Sequence, residues 1–311
     1  VAKSRVILRK FSGFLIVCLL ATGCGDDSSE KEESAPRNST VISVDYGPFG
    51  ETRILSEMFI QVLSHRGYPV ESYRKLGLRE VYEPAVESGE IDIIPEYLGS
   101  LLAFFGGEPT NDAAETNRRL QEHLEERGLL IPEYSPAGNT NGFIVTAATS
   151  EKYGLTKVSD LIPVAGELSL AGPENCPKNR YCLLGLKDVY GIEFKEFQVL
   201  DVGGPLTVAA LDTGIVDVGV LFATDNLIAE KNFRFLIDDR GLQPAENFTA
   251  LVNEDVVDQY GGGVLEALNA VLSRLDNGEM MELNSQLAGD NQKAGEVARA
   301  WLEKEGLLDK E

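Results

Sequence analysis

A nine-residue phrase that occurs twice constrains this chain more than any other stretch of its 311 residues. Ala85-Val-Glu-Ser-Gly89-Glu-Ile-Asp92-Ile returns 125 residues later as Ala210-Leu-Asp-Thr-Gly214-Ile-Val-Asp217-Val. In each copy a helical turn runs into a glycine, the residue that best accepts the left-handed conformation closing a helix, and an aspartate then opens an apolar strand. An aromatic follows five residues after each aspartate, Tyr97 in the first copy and Phe222 in the second. Open α/β sheets place ligands at the carboxyl ends of their strands. Two such units therefore predict two lobes, each offering an aromatic to one shared cleft.

The surrounding pattern agrees. Short apolar runs at residues 41–45, 91–95, 143–146, 167–171, 216–222 and 233–237 have the length and alternation of strands. Between them lie helical periods, as at 111–127 and 205–212, and after Tyr46-Gly-Pro-Phe-Gly50 the apolar residues Ile54, Leu55, Met58, Val62 and Leu63 share one helix face. Residues 253–305 read as mostly helical, with breaks at 261–263 and 277–278. Strands alternating with helices predict an α/β protein with largely parallel sheets.

The first residues carry a different message. Lys3, Arg5, Arg9 and Lys10 precede an apolar run over 11–21, the layout of an export signal and too short for a spanning helix. The run ends in Ala21-Thr22-Gly23-Cys24, which resembles the bacterial lipoprotein signal, in which small residues precede a cysteine that is acylated. Ala21 stands where a branched aliphatic residue is usual, with Leu19 and Leu20 just upstream; a plain secretory signal with an incidental cysteine is the alternative. Residues 1–23 are thus expected to be a signal peptide and 24–40 a flexible tether, because the latter stretch is polar and acidic and has almost nothing to bury. The chain is expected on the extracytoplasmic face of the cell membrane, held by lipid on Cys24.

Composition narrows the chemistry. Fifty Asp plus Glu against 28 Lys plus Arg give a net charge of -22, so nucleic acid is not an expected partner. Two histidines, His65 and His123, fall in helical stretches and offer little for metal or triad chemistry; no cofactor or metal is implied. Cys176 and Cys182, exported together, suit a small-loop disulfide, with free thiols as the alternative. A zinc site would need two more ligands nearby, and none is present.

Gly89-Glu-Ile-Asp-Ile-Ile-Pro-Glu-Tyr97-Leu-Gly-Ser100 resembles the Gly-Glu-Ile-Asp-x-x-Pro-Glu-Tyr-Thr-Gly-Thr pattern of the substrate-binding proteins of ABC importers for glycine betaine, choline and related osmoprotectants. Phe49-Gly-Glu-Thr-Arg-Ile-Leu55, residues 203–211, Phe222-Ala-Thr-Asp225, Leu236-Ile-Asp-Asp239 and Gln243-Pro244 extend the similarity over about residues 41–300. The resemblance implies a two-lobed, periplasmic-binding-protein-like fold of type II with two crossovers between lobes. Placed on this chain, one lobe comprises 41–141 plus 245–311 and the other 142–244. It implies a small quaternary ammonium or zwitterionic solute and an ABC permease subunit as partners, and no enzyme activity.

A trimethylammonium head has no hydrogen-bond donor, so aromatic rings suit it: the ring quadrupole attracts the cation and the ring packs against its methyls, worth about 2 kcal/mol or more when desolvated. In the family tyrosines form this cage, and Tyr97 falls on the Pro-Glu-Tyr position. Phe222 stands where the family has tyrosine. Two further cage positions fall near Asn141 and near Thr207 or Val208, where this chain has no aromatic. Phe49 and Phe143 are candidates to complete the cage, with Tyr46 and Tyr181 behind them. At the solute's carboxylate end the candidates are Arg180, the backbone N–H groups of a helix starting near Gly204-Pro205, and Thr224 with Asp225, for which helix capping is the competing role. An exported enzyme on a similar fold, using Glu96 or Asp92 as acid or base, and a sensing lipoprotein that meets no permease are the alternatives.

Overall fold

The computed structural model describes residues 40–71, 75–201, 203–289 and 293–309; the basic leader, Cys24 and the tether up to residue 39 lie outside them. Within the described residues the chain threads two sheets in turn. The first part runs β1 (Ile42–Ser43), α1 (Gly50–His65), β2 (Val70–Glu71), α2 (Arg79–Glu87), β3 (Ile93–Tyr97), α3 (Leu98–Phe104), α4 (Ala113–Leu124) and β4 (Leu129–Leu130). The second part runs β5 (Asn141–Thr146), α5 (Ala147–Tyr153), β6 (Ser169–Gly172), α6 (Leu183–Gly185), β7 (Glu196–Val199), α7 (Pro205–Asp212), β8 (Val218–Phe222), α8 (Asn226–Glu230) and β9 (Phe233–Phe235). The chain returns through β10 (Phe248–Asn253) and ends in α9 (Glu254–Tyr260), α10 (Gly263–Leu272), α11 (Asn277–Gly289) and α12 (Ala294–Lys304). The second expected break in this tail falls just before Asn277, which with Gly278 opens α11 rather than interrupting it.

One sheet has the order β3-β10-β4, with the parallel pair β1-β2 joined to β3 by a bridge between Val44 and Ile93. The other has the order β7-β6-β8-β5-β9. The sheets are not largely parallel, as the alternation suggested. β6 pairs in parallel with β7 and β8, but β10 is antiparallel to β3 and β4, and β5 is antiparallel to β8 and β9. The exceptions are the strands by which the chain enters the second sheet and re-enters the first. Such a strand arrives from elsewhere and is not the product of a helix returning the chain in the same direction, which is what parallel pairing demands.

Both sheets are covered on both faces. In β3, Ile93 packs into a core with α1, α10 and α12, while Ile94 packs into a second cluster with Leu98, Leu120 and Leu124. In the other sheet Phe143, Val145, Val218 and Val220 face one cluster, and Ile144 and Leu221 face another. The two-residue period of a strand makes that division. On α1, Ile54, Leu55, Met58, Val62 and Leu63 are all buried, as their spacing requires.

The repeated phrase is one structure built twice. Gly89 and Gly214 close α2 and α7 with φ of +72° and +71°. Ser88 donates to the Pro84 carbonyl and Thr213 to the Ala209 carbonyl, each at 3.0 Å. Asp92 then accepts from the backbone N–H and hydroxyl of Ser43 at 2.7 and 2.9 Å, and Asp217 from the same two groups of Ser169 at 2.9 Å each. Each aspartate thereby ties the helix-to-strand turn to another strand, β1 in one sheet and β6 in the other.

The two crossings, 131–140 and 236–247, run side by side. Asn139 donates its N–H to the Glu246 carbonyl at 2.9 Å, Phe248 to Ala137 at 3.1 Å and Ser135 to Phe248 at 2.8 Å. This paired ribbon fixes the ends of β3, β5, β8 and β10 around one space.

Candidate functional site

Tyr97 ends β3 and Phe222 ends β8, and both line one cavity of about 420 Å³. Phe49, the residue before α1, stands between them, with ring centroids 6.2 Å from Tyr97 and 6.5 Å from Phe222 in edge-on arrangements. It is 51% exposed, an unusual state for a large apolar ring and one that fits a cavity wall better than a core. Asn141 lines the same cavity because register places it directly opposite Phe222. Tyr181 and Tyr82 add further rings.

Behind the rings lies Glu51, in the first turn of α1 and only 5% exposed. Its carboxylate accepts from the Tyr97 hydroxyl at 2.5 Å, Asn139 Nδ2 at 2.6 Å, the Thr224 hydroxyl at 2.7 Å and Asn284 Nδ2 at 3.3 Å. One buried acid thus joins β3, a crossing, the end of β8 and α11. Burial, reinforced by Glu51, pushes the Tyr97 phenol well above its ordinary pKa, so it stays a donor. The hydroxyl is committed to Glu51, and the ring is what Tyr97 offers to the cavity.

A second polar cluster closes the other side. Arg79 grips Glu96 through Nε at 2.8 Å and Nη2 at 2.7 Å, the Tyr82 hydroxyl donates to Glu96 as well, and Glu96 accepts the Tyr97 N–H at 3.0 Å. Glu246, on the returning crossing, accepts from the Ser100 N–H at 3.0 Å and the Ser100 hydroxyl at 2.8 Å. Its burial pushes the carboxyl up to about 7, against the opposing pull of Ser100.

The remaining candidates sit elsewhere. Phe143 is 2% exposed in the core of the second sheet, where strand parity sends it with Val145, and it does not line this cavity. Arg180 is exposed and stacks over Tyr181 at 5.1 Å. The helix at Gly204-Pro205 does not present its N–H groups to the cavity: Asp201 accepts from Leu206 and Thr207, each at 2.9 Å. Asp225 caps α8 by accepting the Leu227 N–H at 2.9 Å, and both Thr224 and Asp225 border an adjoining cavity with Phe49 and Phe222. Thr207 and Val208 are buried in α7, and Tyr46 lies under Arg53 at 5.9 Å. Cys176 and Cys182 are joined in a disulfide with a Cα separation of 5.1 Å.

Sequence reasoning did not single out Glu51, Arg79, Tyr82, Asn139 or Glu246. Glu51 lies inside the motif that begins at Phe49, and its acidic side chain in an apolar helix was the available signal. Among the described residues no cluster of three or more His, Cys, Asp or Glu could hold a metal ion, and no helix is long and apolar enough to cross a membrane.

Over residues 40–304 the chain matches the family described as the substrate binding domain of ABC-type glycine betaine transport systems. It is 29% identical to the glycine betaine-binding protein YehZ of Escherichia coli K12, over 82% of this chain and 88% of that protein. It is 27% identical to the carnitine transport binding protein OpuCC of Listeria monocytogenes serotype 1/2a, over 99% of this chain and 97% of that one. Among solved structures, a glycine betaine/carnitine/choline ABC transporter protein superposes with a TM-score of 0.79 at 24% identity, covering 86% of this chain and all of the other. The fold is that of the type II periplasmic binding proteins.

Proposed function

The chain belongs to the family of substrate-binding domains of ABC-type glycine betaine transport systems, and from that premise we propose that it seats a quaternary ammonium head among Tyr97, Phe222 and Phe49. It is the extracytoplasmic substrate-binding protein of an importer and not an enzyme. The observation that carries the reading is the meeting of the three rings at one cavity, two of them from corresponding places in the repeat. A cation without donors gains from rings and not from hydrogen-bonding acceptors, and here the Tyr97 hydroxyl is already spoken for by Glu51.

The lobes divide at the two crossings, 41–141 plus 245–311 against 142–244. A solute held by Tyr97 of one and Phe222 of the other makes its full set of contacts only when both lobes meet it, so binding favours the closed arrangement. Thr224 and Asp225 act at this seam as a bond to Glu51 and a helix cap. Asn141 lies at the seam beside Phe222, while Phe143 and Arg180 serve as core and as support for Tyr181. Upstream, Cys24 carries the lipid that holds the protein at the membrane beside its permease; loss of labelled fatty acid in Cys24→Ala tests that part.

Calorimetry with glycine betaine, choline, carnitine and proline betaine tests the cage. At least one binds the protein, and Tyr97→Ala weakens it about 30-fold, the equivalent of about 2 kcal/mol. No heat and no thermal stabilisation with any of the four would sink the reading.

A further inference from the structure

The acid on the cavity wall has no counterpart in a cage of rings. Glu246 is partly buried and lines the same cavity as Tyr97 and Phe222. Its backbone is fixed by the crossing ribbon through the Asn139 N–H, and its side chain by both donors of Ser100. Gly99 makes the approach possible, since a Cβ there would stand 2.8 Å from the Ala245 carbonyl oxygen and 3.1 Å from Glu246 Oε1.

We propose that Glu246 selects the charge class of the solute, favouring a quaternary ammonium cation that carries a hydroxyl or other hydrogen-bond donor over a zwitterion that ends in a carboxylate. The inference rests on the quaternary ammonium reading above and names which members of that class the cleft prefers. The charged and titratable groups facing Glu246 are Arg79 and Tyr82 from α2, Glu96 and Tyr97 from the end of β3, and Tyr181 across the cavity. The one cation among them, Arg79, is gripped by both oxygens of Glu96 and so leaves Glu246 without a partner of opposite charge in hydrogen-bonding contact. Glu51 stands behind Tyr97 with four neutral donors. Among the described residues Glu246 is thus the one carboxylate in the cavity lining; the Arg79 guanidinium that also lines it is paired to Glu96 behind it. A carboxylate placed against Glu246 meets like charge, whereas a cation meets opposite charge there and a donor finds an acceptor. At about 420 Å³ the cavity is toward the lower end of the usual size of a ligand pocket, and Glu246 is part of its wall.

Protonation gives the proposal a signature. With its carboxyl held near 7, Glu246 is mostly neutral at pH 6, where its O–H can donate to a carboxylate, and mostly anionic at pH 8, where it repels one. Calorimetry on the full chain with choline and with glycine betaine, at both pH values, reads this directly. The expected result is a choline-to-betaine affinity ratio that rises about ten-fold from pH 6 to pH 8, and a Glu246→Gln protein whose ratio is lower at pH 8 and flat with pH. A ratio that does not change with pH in the unaltered protein overturns the proposal whether or not the variant folds. So does a folded Glu246→Gln protein with the original ratio. If both solutes bind with a pH-independent ratio, only this inference fails; if neither binds and carnitine and proline betaine give no heat or stabilisation either, the quaternary ammonium reading fails with it.

Discussion

The Tyr97 phenol donates to Glu51 while its ring borders the cavity, so substitution can separate the two. Tyr97→Phe keeps the ring and leaves Glu51 one donor short; solute affinity should stay within a few-fold while urea unfolding shows a loss of about 1 kcal/mol. Tyr97→Ala removes both. Glu246 adds a pH dependence with a definite sign. Burial raises its folded-state pKa from 4.5 to about 7, so its relative contribution to stability is greatest below 4.5 and is lost as pH rises to about 7. Thermal unfolding of Glu246→Gln across that window should show a smaller decline with pH than the unaltered protein. Tyr97 and Phe222 were readable because the repeat placed them at matching strand ends. Phe143 was not separable from them by residue type: it shares their chemistry, and its strand position sends it into a core. Glu51 and Glu246 were harder still, since in a chain with 50 acidic residues a buried carboxylate looks like any other until its donors are known.

At the scale of elements, the repeat is held by two serine–aspartate clamps, Ser43 with Asp92 and Ser169 with Asp217. Asp92 is almost fully buried. Removing either acid leaves a strand N–H and a hydroxyl without their acceptor, and Asp92→Ala and Asp217→Ala should each cost about 1–3 kcal/mol in urea unfolding, the buried Asp92 more. The clamps share no partner and lie in different sheets, so the double variant should show the sum to within about 0.5 kcal/mol. A large shortfall or excess would mean the sheets do not respond independently. The helix–glycine–strand turn was legible because a left-handed φ selects glycine locally. The serine was not, lying 49 residues from its acid in one copy and 48 in the other. Strand direction was lost for a related reason, because β5 and β10 read as ordinary apolar strands and only their partners define them as antiparallel.

For the molecule as a whole, the chain leaves the first sheet after β4 and returns to it at β10, so two segments join the sheets, and the proposed closure on a solute would act there. A solute at 100 times its Kd should raise the unfolding free energy by about 2.7 kcal/mol, and small-angle scattering should report a smaller radius with solute than without. The same protein begun at residue 40, where the family match starts, should bind with unchanged Kd. What the sequence determined by itself was what local chemistry encodes: alternating elements, glycine-closed turns, two aromatics at equivalent places and a motif specific enough to indicate the family. The tertiary structure decided which aromatics meet, which acids are buried beside them, and that Asp201 rather than a solute takes the α7 N–H groups. The Asp201 contact spans only five and six residues and turns on how the chain enters α7, but the contacts of the buried acid behind the rings join residues 46 to 233 positions apart, and a linear pattern carries no distance between residues that only folding brings together.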